Sequence, residues 1–378
     1  MRSTVTMSAP IKQPSAEKPR GLSPEPAERR AISIVVACRN EANHIERFLD
    51  SLRAQELEGF DWEVIIADGA SDDGTRAILS KFAERDARIV VLSNPARFVS
   101  AGLNAAIRAA RGEIVLRMDA HTEYAPDYVR KCVEWLDKTG AENVGGPART
   151  KSEGRRAGAI CAAYHSPFST GGAKFHDEAY SGYVDTVTYG CWKKETLVRI
   201  GLFDEGLVRN QDDELNLRLV RSGGKIWQAS DIVSWYRPRT TLSALFHQYF
   251  QYGFWKVRVI RKHKIPGSWR HLIPAAFVSA NVLWPLFVLA AALAGGRDFA
   301  RDCALAWLIV LAVYAAGCLM AAFSAARRWG WDLLPYLPAT FVVFHVSYGL
   351  GFLIGTVYWA FRQEPRAAAA DLFVDVTR

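Results

Sequence analysis

Three sets of carboxylates stand where they can act on a polar ligand. Asp68 closes the apolar run 62–67 and leads into Gly69-Ala-Ser-Asp-Asp-Gly-Thr75, which carries Asp73. Asp119 closes a second run, 113–118, and is followed by Ala120 and His121. Gln211-Asp-Asp-Glu-Leu215 then opens an amphipathic stretch holding Asp212 and Asp213. Carboxylates placed where buried strands emerge suit a ligand held at the carboxyl edge of an open α/β sheet. The pattern reads as a site for a nucleotide, a divalent metal and a second substrate.

Transfer of a sugar from a nucleotide would use all three sets. An early carboxylate at the end of the second strand accepts hydrogen bonds from base or ribose. Asp119 with His121, or Asp119 with water and phosphate oxygens, makes a half-shell for Mn²⁺ or Mg²⁺ that screens a departing diphosphate. Asp212 or Asp213 serves as general base on an acceptor hydroxyl. Each set also has a plainer explanation. Asp72 and Asp73 can cap a helix beside Gly74, Asp119 can be a solvated loop residue, and acids at 212–214 favour a helix macrodipole.

Alternating elements must position these groups. Runs 32–38, 63–67, 89–92 and 114–118 are strand-sized and rich in β-branched residues. Between them, 44–53, 76–85 and 101–110 carry apolar residues at helical spacing. That alternation predicts a mainly parallel, right-handed wound sheet flanked by helices. Asn40, Asp72 or Asp73, and Ser100 are expected helix caps, and 126–137 is a further expected helix. Residues 147–240 are less regular, with a helix expected over 213–221.

The 378 residues carry 47 Lys and Arg against 39 acidic residues, a formal charge of +8. Much of the excess lies at Arg258, Arg261, Lys262, Lys264 and Arg270, just before a long apolar segment. Basic residues there point to a membrane surface and not to nucleic acid. Six scattered cysteines without a Cys-x-x-Cys pair suggest no disulfide framework and no zinc site. Three uncharged segments, at about 272–294, 303–326 and 335–361, are each long enough to span a bilayer. Arg327 and Arg328 join the basic cluster in placing the catalytic part in the cytoplasm, with the C-terminal tail outside if all three segments cross. Pro274, Asn281 and Pro285 predict an irregular first segment. The division expected is a disordered tail at 1–30, a catalytic domain at 31–240, an interfacial amphipathic and basic segment at 241–271, a membrane region at 272–361 and a tail at 362–378.

The blocks ISIVVACRNEANHIERFLDSL, EVIIADGASDDGT, AGLNAAIRAARGEIVLRMDAH and FDEGLVRNQDDELNLRLVRSGG resemble successive blocks of the family 2 glycosyltransferases. The resemblance runs from about 32 to 256. RNQDDELNLR and QYFQYGFWK are more similar to exopolysaccharide glucosyltransferases of the succinoglycan type than to processive synthases, whose Gln-x-x-Arg-Trp element is absent. The resemblance implies a GT-A fold and places Ala37, Arg39, Glu41, Asp68, Asp73 and Asp119 against the nucleotide sugar. It implies a metal, Mn²⁺ or Mg²⁺, at Asp119 and His121, where His121 stands for the family's usual Asp. Asp212 matches the catalytic base, with Asp213 as the alternative because Gln211 replaces the usual Glu.

The expectation is therefore a membrane-anchored inverting glycosyltransferase at the bacterial inner membrane. It would move a hexose, in this reading glucose from UDP-glucose, in β linkage onto a polyprenyl-diphosphate-linked oligosaccharide for exopolysaccharide assembly. Other assembly enzymes and membrane lipid are its expected partners. The alternatives are a polyprenyl-phosphate sugar synthase and a silent nucleotide-sugar-binding scaffold. His165, His176 and His247 are expected to be structural or surface groups, and Arg218 and Arg221 a solvated or ion-paired helix face. Tyr249, Tyr252, Phe254 and Trp255 are expected to pack at the membrane interface, while Gln248, Gln251 and Lys256 can reach a diphosphate.

Overall fold

The computed structural model describes residues 29–361, so all but Arg29 and Arg30 of the expected N-terminal tail, and the whole C-terminal tail, lie outside the described residues. Arg30 already belongs to the first strand. β1 (Arg30–Cys38), α1 (Ile45–Arg53), β2 (Phe60–Asp68), α2 (Thr75–Ala83), β3 (Ile89–Ser93), α3 (Val99–Ala109) and β4 (Ile114–Asp119) alternate as the apolar runs predict. β5 (Thr122–Tyr124), α4 (Tyr128–Thr139), β6 (Asn143–Gly146), β7 (Arg149–Thr150), α5 (Arg155–Tyr164), α6 (Pro167–Thr170), β8 (Gly182–Val184), β9 (Thr188–Lys193) and α7 (Lys194–Arg199) follow. The soluble part ends with α8 (Gln211–Arg221), β10 (Ile226–Gln228) and β11 (Ser234–Tyr236).

One sheet has the order β3-β2-β1-β4-β9-β6-β10-β8, and β5-β11-β7 form a second. The first four strands are parallel, and β9 joins β4 antiparallel. The sheet is therefore mixed, and parallel across β3, β2, β1 and β4. Alternation along β1 splits the core into two layers, since successive side chains of a strand face opposite ways. Ile32, Ile34 and Val36 pack with α1, α2 and α4. Val35 packs with α3, Trp192 and Leu215 on the other face. Register then fixes the chemistry: Cys38 pairs with Asp68 and Ala37 with Asp119, so both carboxylates reach one sheet edge.

Two expected caps lie elsewhere. Ser100 sits inside α3, and Asn40 adopts a left-handed conformation in which its Oδ1 accepts from the Asp72 amide at 3.0 Å. Each bridges loops instead of closing a helix.

Beyond the sheet come α9 (Leu242–His263), a short turn at Trp269–Leu272, and α10 (Ile273–Leu293), α11 (Arg297–Trp329) and α12 (Leu337–Ala360). Among the described residues three helices, Trp269–Leu293, Arg297–Trp329 and Leu337–Ala360, are long and apolar enough to cross a membrane. α10 is one continuous helix, not the irregular segment that its prolines predict. Pro274 occupies its first turn, where a missing N–H costs little, and Asn281 donates to the Phe277 carbonyl at 2.8 Å.

α12 differs from the other two. Glycines let it lie directly on α9: a Cβ at Gly351 would stand 2.0 Å from the Phe250 carbonyl, and one at Gly253 equally close to that of Tyr348. Small residues allow this approach of two helix backbones. The early residues Leu337, Phe341 and Phe344 pack on Ile160 of α5 and Leu245 of α9. Trp359, near the other end, packs on Trp255, Leu207 and Val208. Both ends of α12 thus rest on α9 and the catalytic domain.

Candidate active site

A cavity of about 820 Å³ opens at the sheet edge and extends under α9 to the apolar helices. Ala37, Arg39, Glu41, Asp119, His121, Asp212 and Asp213 all line it, so the fold brings these sequence-predicted residues together. Asp68 and Asp73 do not line it. Asp68 is fully buried, accepting from Ser71 Oγ at 2.5 Å and Arg76 at 3.1 Å. Asp73 accepts from the Thr75 hydroxyl at 2.6 Å and from the amides of Thr75 and Ala42 at 3.0 and 2.9 Å. Those bonds tie the start of α2 to the loop after β1. Burial opposes the Asp73 carboxylate, but these donors outweigh it and hold its pKa below the ordinary range.

At the centre stands a residue that sequence reasoning passed over. Arg117, on β4, has a side chain only 4% exposed. Its guanidinium grips Asp119 with two bonds, 2.9 Å from Nε and 3.0 Å from Nη2, while Nη1 donates to Asp212. A planar fork suits this bidentate task. The available signal was a charge within the strand-sized apolar run of β4, since a buried arginine is rare unless paired.

Asp212 and Asp213 sit in the first turn of α8, with successive side chains pointing about 100° apart. Asp212 therefore meets Arg117 from the sheet, while Asp213 accepts from Lys256 Nζ of α9 at 2.5 Å. Both side chains are 42% exposed, and they line the cavity, so protein surrounds them even where water reaches them. Burial pushes the Asp212 carboxyl above the ordinary aspartate range; Arg117 pulls the other way, while Asp119 and Asp213 add to the rise. Burial works against Asp213 too, but Lys256, backed by His271 and Arg270, outweighs it and the carboxyl falls below the ordinary range. A proton acceptor gains strength from a raised pKa.

A metal would take its protein ligands from Asp119 and His121. His121 Nδ1 lies 3.3 Å from Glu41 Oε1, and Glu41 Oε2 is buried without a hydrogen-bond partner among the described residues. No three His, Cys, Asp or Glu side chains among the described residues converge as a cage. With both Asp119 oxygens held by Arg117, this pair could supply only part of a Mg²⁺ or Mn²⁺ shell, the rest coming from substrate phosphates and water, as is common for such ions.

Arg218 pairs with the buried Glu214 at 2.8 Å, on the side of α8 away from the cavity. His165 is buried, its ring stacked on Trp329 and hydrogen-bonded to Thr150 at 2.9 Å. The α9 aromatics divide: Phe254 and Trp255 are core, whereas Tyr249 and Tyr252 line the cavity with Gln248 and Lys256.

Residues 33–188 match the family model described as Glycosyl transferase family 2. The chain belongs to that family and is a glycosyltransferase. It is 35% identical over 245 residues to the succinoglycan biosynthesis protein ExoA of Rhizobium meliloti, covering 64% of this chain and 74% of that protein. It is 28% identical over 255 residues to a dolichyl N-acetyl-alpha-D-glucosaminyl phosphate 3-beta-D-2,3-diacetamido-2,3-dideoxy-beta-D-glucuronosyltransferase of Methanococcus voltae, covering 65% of this chain and 78% of that enzyme. A mannosyltransferase from Pyrobaculum calidifontis, solved with GDP-Man and Mn²⁺, shares the fold with a TM-score of 0.56 and 21% identity. That alignment covers 88% of this chain and 90% of the other.

Proposed function

We propose that the protein transfers a hexose, with inversion, from a nucleotide donor to a hydroxyl of a lipid-linked oligosaccharide in exopolysaccharide assembly. UDP-glucose is our assignment for the donor and a polyprenyl diphosphate for the carrier. The observation that carries the reading is the single cavity running from the strand-edge carboxylates to the apolar helices. A soluble acceptor would not need that route. Eight basic side chains and five carboxylates line the cavity, an excess that suits ligands bearing several phosphates. The relatives agree in kind: one is named for succinoglycan biosynthesis, the other for adding a β-linked sugar to a dolichyl-phosphate-borne aminosugar.

In this reading Arg39 and Glu41 hold the nucleotide with Ala37, while Asp68 and Asp73 shape the loops around it. Asp119 and His121 hold the divalent metal, which supplies charge to offset the leaving diphosphate when bound. Asp212 removes the acceptor hydroxyl proton as that oxygen attacks the anomeric carbon, and the sugar–phosphate bond breaks on the opposite face. Arg117 keeps Asp119 and Asp212 in register and stabilises both carboxylates before substrate arrives.

The membrane path follows from the packing. α10 starts beside Asp185, to which Arg270 donates at 2.6 Å, and the end of α11 returns to α5. α10 and α11 therefore form a hairpin that crosses and comes back, their outer faces apolar and open, as at Leu283 and Val313, 63% and 68% exposed. α12, held to the catalytic domain at both ends, lies along it as a roof whose outer face meets lipid. In this reading Phe361, at the end of α12, lies on the catalytic side, taken as the cytoplasm from the basic flanks. A C-terminal reporter active only outside the cell would overturn it.

The functional test is nucleotide release by the purified protein in detergent. UDP-, GDP- and TDP-sugars are offered with Mn²⁺ or Mg²⁺, with and without lipid extract from the producing cell. Metal-dependent UDP release from one sugar, stimulated by lipid, is expected. Stimulation by polyprenyl phosphate alone, without a sugar on it, would favour the synthase alternative. Binding without turnover on any acceptor would favour the silent scaffold.

A further inference from the structure

The cavity wall changes character on the far side of Asp213. Lys256 is 4% exposed, and among the described residues its ammonium is matched by the Asp213 carboxylate. Arg270 and His271 come from the turn before α10, and Tyr348 comes from the middle of α12. His271 Nδ1 and the Tyr348 hydroxyl are buried and have no hydrogen-bond partner among the described residues. All four side chains line the cavity. Arg270 also donates to Asp185 at 2.6 Å, so each cation has one carboxylate and further donor N–H groups to offer. Native folds leave few buried polar atoms orphaned, and two beside these cations suit an anionic ligand that accepts from them.

What lies beyond them is apolar. Ile273, Phe277, Tyr314 and Phe344, from α10, α11 and α12, continue the wall. A phosphate bound at the border would thus have carboxylate chemistry on one side and a hydrocarbon path on the other. We propose that Lys256, Arg270, His271 and Tyr348 form the subsite for the diphosphate of the lipid-borne acceptor, its chain leaving between the three apolar helices. The inference rests on the lipid-acceptor reading above and adds the residues that hold the carrier.

The donor diphosphate has a different seat. None of the four residues belongs to the loops after β1 and β4 that carry Arg39, Glu41 and His121. Asp212 and Asp213 stand between the two groups, Asp212 bonded to β4 and Asp213 to α9. The acceptor sugar then approaches Asp212 from the membrane side. Binding would also free Lys256 to divide its charge between Asp213 and the phosphate.

The test uses the full chain in lipid nanodiscs with undecaprenyl diphosphate, inorganic diphosphate and UDP as separate probes. Arg270→Ala and Tyr348→Phe are each expected to weaken undecaprenyl diphosphate binding about tenfold or more, the scale of a lost charge-assisted bond. UDP affinity stays within about twofold, which also reports that the variants are folded. Arg270→Lys restores part of the loss. Equal weakening for UDP would assign the residues to the donor and overturn the proposal. So would lipid binding unchanged in both variants. Inorganic diphosphate binding as tightly as the lipid form would remove the hydrocarbon path. If the wild-type protein binds no undecaprenyl diphosphate at all, the lipid-acceptor reading itself falls; if it binds and the variants bind equally, only this subsite does.

Discussion

The two halves of the cavity are built differently. The sheet half is rigid and local: β1, β2 and β4 end together, and parallel register alone lines up Asp68, Cys38 and Asp119. The helical half has no such frame. Lys256, Arg270 and Tyr348 come from elements up to about 90 residues apart, joined by the close packing of α9 on α12. In the sheet half a side chain's place follows from where its strand stops. In the helical half it follows from which backbone atoms two helices let touch.

That contrast exposes the protein to different kinds of damage. The largest effect is expected at the seam. Asp212→Asn should lower kcat by about 10²–10⁴, the usual range for losing a general base, while donor affinity holds. Asp213→Asn should cost far less, because its charge is spent on Lys256. The reverse order, read by steady-state nucleotide release, would exchange their roles.

Arg117→Gln comes next. It leaves two carboxylates without their shared cation, and about 3–5 kcal/mol of stability is at stake when a buried pair is broken. The active form of Asp212 is deprotonated, so activity falls as pH drops through its raised pKa. Arg117 lowers that pKa, and its removal should move the acid limb of the kcat profile to higher pH. A limb that moves instead with Lys256→Met would mark Asp213 as the titrating base.

A smaller loss is expected at the helical seam. Gly351→Val would press a side chain into the Phe250 carbonyl, forcing α12 off α9. Melting should drop by several degrees, on the order of 1–3 kcal/mol of overpacking. Lipid-stimulated turnover should fall more than UDP binding. A parallel fall in both would mean that the two halves are one rigid unit.

The smallest change is expected at Asp73. Asp73→Ala removes bonds that close the start of α2, which costs about 1 kcal/mol. Donor affinity should change little, because the carboxylate does not line the cavity. A tenfold loss of UDP binding without a fall in melting temperature would show instead that Asp73 reaches the nucleotide.

Reading residues in order went far in the sheet half. Apolar runs of strand length, separated by helical spacing, place β1 to β4 and the helices between them within a few residues. A strand's end is a local event, so Asp119 could be singled out from its neighbours alone, whereas Asp212, in the first turn of α8, was singled out by the family resemblance. Arg117 escaped notice because its worth depends on two carboxylates, one of them 95 residues away. The helix caps at Asn40 and Ser100 were misplaced for a related reason. Both residues have the right local chemistry, but they bond across loops that sequence spacing does not bring together.

The membrane region shows the same limit. Composition alone establishes that three segments are apolar enough to cross, because hydropathy is a sum over neighbours. It does not say which of them lies on protein. α12 has the length and apolarity of a span, yet Gly253, Gly351 and Gly355 set it against α9 along its length. The sequence by itself determined the first four strands, the family and the strand-edge carboxylates, since each depends on short-range pattern. Tertiary structure decided the partners of those carboxylates, the roof over the cavity and the cations beside the apolar path, because these are contacts between distant segments whose close fit no local pattern encodes.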